Sequence, residues 1–236
     1  MTYNYAKNFP GLKVFFVLLI LSYGSLHAQT QISDSNLIYS DNFIDKSDNW
    51  IPEYEKPLNS SFTISDGKLE LKTSAGATIW FNHKLSGNIA ITYNVVIQDS
   101  GKSYDRVSDL NAFWMASDPA NKNLFTRDGD FFSYDNLALY YAGVGGHDNT
   151  ITRFRKYGSD GKKPILKEYT DKEHLLVGNK VYSIRIICDS GLTSFYINDS
   201  LFFEYRDSSP LSEGYFAFRT TTSHQLFRNF RIYKLN

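Results

Sequence analysis

Along most of the chain, apolar and polar residues alternate in short runs with the period of two that marks a half-buried strand. The runs fall at residues 36–43, 62–64, 68–72, 78–81, 89–97, 110–116, 137–142, 150–157, 181–188, 193–197, 201–205, 215–221 and 227–235. No long stretch holds a helical period. Turn signals separate the runs: Ser65-Asp66-Gly67 predicts a hairpin, and Ser190-Gly191 and Asn198-Asp199-Ser200 predict a three-strand meander over 181–205. After Trp50 a polar, proline-bearing loop is expected, holding Glu53 and Glu55. Strands at this density, with turn signals between them, predict an all-β sandwich or barrel. The polar segments 99–109 and 118–132 are long enough to be functional loops on that scaffold.

The N-terminus departs from this pattern. Lys7 and Lys13 precede an unbroken apolar run, 14–21, and small and polar residues follow up to Ala28-Gln29. That order predicts a secretory signal peptide over residues 1–28, a flexible leader over 29–35 and one domain over 36–236. The apolar run is much shorter than the ~20 residues a span requires. The expected location is therefore secreted or periplasmic, with no membrane span after cleavage. Charge adds an exclusion: 25 basic residues balance 25 acidic ones, so general attraction to nucleic acid is not expected. The single cysteine, Cys188, alternates in phase with Tyr182, Ile184 and Ile186 and is expected to be a buried free thiol. Aromatics form 16% of the chain, with 17 Tyr and 18 Phe. They suit a sandwich core, and Tyr and Trp also stack on sugar rings.

Asp41-Asn42-Phe43, Trp50, Asp66-Gly67-Lys68-Leu69, Tyr196 to Leu201 and Asn229-Phe230-Arg231-Ile232, in that order, resemble the concanavalin A-like lectin/glucanase superfamily. The middle segments 108–116, 140–146, 152–157 and 218–224 resemble a secreted family of that superfamily, described only as a domain of unknown function, whose members accompany polysaccharide-degrading enzymes. The resemblance implies an all-β fold, a two-sheet jelly-roll sandwich with a concave, glycan-facing surface, and it brings no catalytic residues with it.

Strand parity supplies candidates without the family. In 109–116, Leu110, Ala112, Trp114 and Ala116 share one face, and Asp109, Asn111, Phe113 and Met115 the other. Arg153, Arg155 and Tyr157 oppose Phe154, while Arg219 opposes Phe216 and Phe218. If these strands are neighbours, Asn111, Arg153, Arg155 and Arg219 form a floor that binds a carboxylate in guanidinium forks. Asn149 and His147 follow the bend Gly143 to Gly146 and are aimed at the same cleft; Asn149 is counted with the binding groups. His224, His147, Tyr157 and Tyr141 are the candidates for moving a proton.

The leading expectation is an exported protein acting on an acidic, uronate-containing polysaccharide by lyase-type β-elimination, although the Gln-Ile-His and Tyr-Phe-Lys-Ala-Gly motifs of jelly-roll alginate lyases are absent. The alternative is a non-catalytic glycan-binding module. Glycoside hydrolysis ranks third, because the Glu-x-Asp-x-x-Glu run of the superfamily's glucanases is missing. No cofactor is expected. Calcium is the metal the superfamily allows, but Asp118, Asp128, Asp130 and Asp135 lack calcium-loop spacing.

Overall fold

Three tight turns pin the sheet register. Asp66-Gly67, Ser190-Gly191 and Asn198-Asp199 all have positive φ at both central residues, the left-handed pair that matches the twist of the flanking strands. All three are where the sequence predicts them. The computed structural model describes Met1 and residues 32–236. The expected signal peptide and its cleavage point thus lie, beyond Met1, outside the described residues. No helix among the described residues is long and apolar enough to cross a membrane.

The strands are β1 (Leu37–Asp41), β2 (Trp50–Tyr54), β3 (Ser60–Ser65), β4 (Lys68–Ser86), β5 (Ile89–Ile97), β6 (Leu110–Ser117), β7 (Ala138–Gly145), β8 (Ile151–Tyr157), β9 (Ile165–Tyr169), β10 (Val181–Asp189), β11 (Leu192–Ile197), β12 (Ser200–Arg206) and β13 (Glu213–Lys234). Four differ from expectation in kind; one of them, β9, lies where no strand is predicted. β4 and β13 each merge two predicted runs, because the small and polar stretches Thr73 to Gly76 and Thr222 to His224 break the apolar alternation without breaking the strand. Thr222, at φ 43, marks a register shift in β13. β2 takes the place of the expected loop after Trp50; its Pro52 is tolerated because, among the described residues, β2 pairs with β4 alone and is an edge strand.

The two long strands serve both layers of the sandwich. The second half of β13 pairs with β5, in the order β12-β11-β10-β5-β13, and with β1. Its first half pairs with β6, continuing to β7, β8 and β9. β4 follows β13 along nearly its whole length.

The main core lies between the layers. Trp114 of β6 stacks on Phe154 of β8 at 5.7 Å and on Phe195 of β11, and its indole N–H donates to Thr193 Oγ1 at 3.0 Å. Cys188 is buried here and free, in phase with Tyr182, Ile184 and Ile186 as expected. Parity holds for β8 and β13, but fails in β6. Met115 has φ 51 and the ladder shifts between Trp114 and Ser117. This bulge turns Met115 into the main core and Ala116 away from it, the reverse of strict alternation.

Candidate functional site

The outer face of β4-β13-β6-β7-β8 carries two different surfaces. Over much of it Trp80, Phe113, Ala217, Leu139, Tyr141 and Tyr157 form a second buried cluster with Leu124, Tyr134 and Leu137. Those last three belong to the segment joining β6 to β7, so the expected functional loop is largely a cover.

Its anchor is Glu53. The carboxylate accepts hydrogen bonds from Trp80 Nε1 at 2.7 Å, Tyr134 Oη at 2.8 Å and the Arg127 backbone N–H at 2.7 Å. Burial still raises its pKa above the ordinary value, since desolvation outweighs the three donors. Arg127 in turn binds Asp118 at 2.7 Å.

Beyond the cover a cleft of about 330 Å³ opens, with Asn111, Tyr141, Gly143, His147, Arg153 and Arg155 among its lining groups. One cross-strand row runs Thr78, Arg219, Asn111, Gly143, Arg153, Glu168 from β4 to β9. The next row along carries Trp80, Ala217, Phe113, Tyr141 and Arg155. Gly143 is the gap in the first row. Tyr141 lays its ring along the strand into that gap, so that a Cβ on Gly143 would overlap the phenol oxygen. The Tyr141 hydroxyl is thereby brought level with Asn111 and Arg153. Burial, foremost, pushes its pKa well above the phenol range, so the group is protonated at neutral pH.

The three expected arginines differ in environment. Arg153 Nε binds Glu168 at 2.5 Å, and its Nη1 lies 3.4 Å from His147 Nε2. Arg155 donates one hydrogen bond, to the Lys163 carbonyl, and has no ion pair among the described residues. Arg219 shares the face, as parity requires, but the cover seals it. Its Nη1 reaches Thr78 Oγ1 at 3.1 Å and the Gly129 carbonyl, Phe131 and Tyr134 lie over the guanidinium at about 5.5 Å, and Nε and Nη2 have no partner among the described residues. Desolvation lowers its pKa. Asn111 Oδ1, one strand away, is also buried and, among the described residues, unpaired.

The remaining sequence candidates are more dispersed. Tyr157 is in the covered cluster with its hydroxyl buried and, among the described residues, unpaired, closed off by the 118–137 segment. His224 is outside the cleft lining: Asp105 Oδ1 at 3.0 Å and Glu70 Oε1 at 2.8 Å occupy both ring nitrogens, so it ties the 99–109 segment to β4. Asn149 is also outside the lining. Its side chain donates to the Leu176 carbonyl and accepts from the Leu176 N–H, both at 2.8 Å, so it locks a backbone turn instead of facing ligand. In that turn His147, Asp148 and Asn149 are all left-handed, a conformation that costs ~1–2 kcal/mol per residue and needs such locks. A second lock is Arg106. It binds Asp148 and Asp109 through its two Nη groups and the Thr221 and Thr222 carbonyls of β13.

Arg106, Asp109, Asp148, Phe131 and Thr221 line the cleft and were not singled out by the sequence. Two signals were present: Arg106 and Asp109 close the long polar segment, and Asp109 is in phase with Asn111. Burial raises the Asp109 carboxyl despite Arg106 beside it. Among the described residues no group of three or more His, Cys, Asp or Glu is arranged to hold a metal ion.

Residues 71–230 match the family described as a domain of unknown function, DUF6250. The chain belongs to that family. No curated protein matches it. Solved structures do, and at these identities they establish the concanavalin A-like lectin/glucanase fold alone. A Bacillus subtilis protein of unknown function with a galectin-like fold superposes with a TM-score of 0.69 at 18% identity, covering 84% of this chain and 96% of that one. The carbohydrate-binding module CBM66 from Bacillus subtilis gives 0.54 at 16%, covering 79% and 96%. An endo-β-1,3-glucanase from Pyrococcus furiosus gives 0.59 at 11%, covering 85% and 94%.

Proposed function

We propose that this DUF6250 protein is exported and that its cleft binds an acidic polysaccharide through a sugar carboxylate. The observation that carries this reading is Arg155, a cleft guanidinium with no acidic partner among the described residues, set directly across the strand pair from Tyr141. A carboxylate completes its fork, and the Tyr141 hydroxyl and Arg153 supply further donors. The relatives agree in kind, since a carbohydrate-binding module and a glucanase share the fold.

The test is calorimetric titration of the mature protein with alginate, polygalacturonate and glucuronate-containing polymers, each beside its carboxyl-reduced form. Binding is expected for one acidic polymer, lost on carboxyl reduction and weakened at least tenfold by Arg155→Ala. Equal affinity for a polymer and its reduced form would refute carboxylate recognition.

A second reading, β-elimination, is favoured by the presence of both His147 and Tyr141 in the cleft lining. His147 would take the proton at C5, the electron pair would form the C4–C5 double bond as the C4–O bond breaks, and Tyr141 would protonate the leaving oxygen while Arg155 neutralises the carboxylate. Accumulation of an ultraviolet-absorbing unsaturated product, abolished by His147→Ala and retained in His224→Ala, is the expected result under this reading. Affinity without product leaves binding alone. Hydrolysis is third, because the lining carboxylates Asp109 and Asp148 are both engaged by Arg106.

A further inference from the structure

We infer that the cleft accepts the end of a glycan chain and not an internal stretch; this rests on the acidic-glycan reading above. Exposure along the central row sets the direction of entry. Thr78 is 0% exposed, Arg219 1%, and Asn111 6%. The side chains of Arg153 and Glu168, further along, are 25% and 37% exposed. The floor is thus sealed at β4 and β13 and opens progressively toward β9.

Each remaining side is walled by a specific contact. Toward β13, Gly129 packs its backbone against Gly76 and against Tyr54-Glu55 so tightly that neither glycine has room for a side chain. Toward the Tyr157 end, Phe131 stands over Tyr141 at 5.8 Å, and Asp135 of the cover binds Lys163 beyond β8 at 2.5 Å. At the opposite end Arg106 straps the left-handed turn to β13.

A chain entering over β8 and β9 therefore meets a dead end at Asn111. An internal segment would need a second exit, and the row that could supply it runs under the cover at Arg219 and Thr78.

The experiment counts sites. Whichever acidic polymer binds is cleaved by partial acid hydrolysis to progressively shorter mean lengths, and the calorimetric stoichiometry is measured per gram of sugar. End recognition predicts that halving the mean length doubles the protein bound per gram, at constant affinity, down to the shortest chains. Stoichiometry that stays fixed per gram while long chains carry many protein molecules would overturn the inference and leave acidic-glycan binding intact. Absence of binding by every polymer, at every length, would overturn both. A further variant, Phe131→Ala, removes one wall without touching Arg155, and it is expected to shift site counts from chain ends toward sugar mass.

Discussion

Replacing Arg219 with methionine separates stability from binding more sharply than any other single change. Arg219 is 1% exposed, and among the described residues its guanidinium has no acidic partner and two of its three nitrogens have no hydrogen bond. Desolvating an ion costs several kcal/mol even after relaxation. Against that stand two hydrogen bonds from a charged donor, ~1.5–3 kcal/mol each, and aromatic faces worth ~0.5–2 kcal/mol. Methionine fills most of the same space and abolishes the desolvation cost, and the loss of the Gly129 carbonyl's donor is already contained in the hydrogen bonds counted. These opposed quantities nearly cancel, so urea unfolding should find Arg219→Met within about 2 kcal/mol of the parent, well short of the ~3–5 kcal/mol lost when a compensated buried pair is broken.

Binding should respond differently. From β13 to β7 is two strand spacings, about 10 Å. A unit charge at that distance from a carboxylate beside Tyr141 contributes about 1.7 kcal/mol at an effective dielectric of ~20. Affinity for the acidic polymer should fall roughly 15- to 20-fold, at 1.36 kcal/mol per decade, and that for its carboxyl-reduced form should not change. A stability loss above about 4 kcal/mol, or equal weakening for both polymers, would show that Arg219 serves the fold and not the ligand.

Gly143→Ala should expel the Tyr141 ring from its gap, and because the displaced phenol can turn outward, affinity should drop by about tenfold while far-ultraviolet circular dichroism stays the same. Cys188, whose thiol burial pushes up to about 12, should resist a bulky thiol reagent in the native protein and react only at the rate of unfolding; rapid labelling would contradict its burial. Asp207 is held below the usual carboxylate range: burial opposes ionisation, but Lys156, the Tyr140 hydroxyl and the Ser209 N–H together outweigh it. A depressed carboxyl stabilises the fold above its unfolded pKa of about 3.9 and loses that contribution as pH falls through the lower folded value. Asp207→Asn should therefore cost about 2 kcal/mol at neutral pH and flatten the acid limb of a stability–pH profile; an unchanged acid limb would refute the assignment.

Alternation made Asn111, Arg153, Arg155 and Arg219 legible as one face, and the hairpin turns were legible from their Asp, Asn and Gly residues. Three things were not. The bulge at Met115 is a backbone event at an ordinary apolar residue, so nothing in the composition marks it. The sealing of Arg219 and Tyr157 depends on where the 118–137 segment folds back, and its Leu124, Phe125, Phe131 and Tyr134 read as loop residues until Glu53 is seen to hold them down. His224 carried the chemistry of a base and the neighbours of a clasp, and only the distances to Glu70 and Asp105 tell the two apart.

β13 has a consequence for how the protein is made. It pairs with β1, β4, β5 and β6, lies in both layers, and comes last in element order. Neither layer can be completed around its centre until this strand has arrived, and its pairings with β1 and β4 span most of the described sequence. Contacts of such long separation slow folding, because the loop entropy is spent before the contacts form. Until then β4 and β5 expose unpaired apolar edges, which favour aggregation, so yield in a refolding experiment should depend on protein concentration more steeply than final stability suggests.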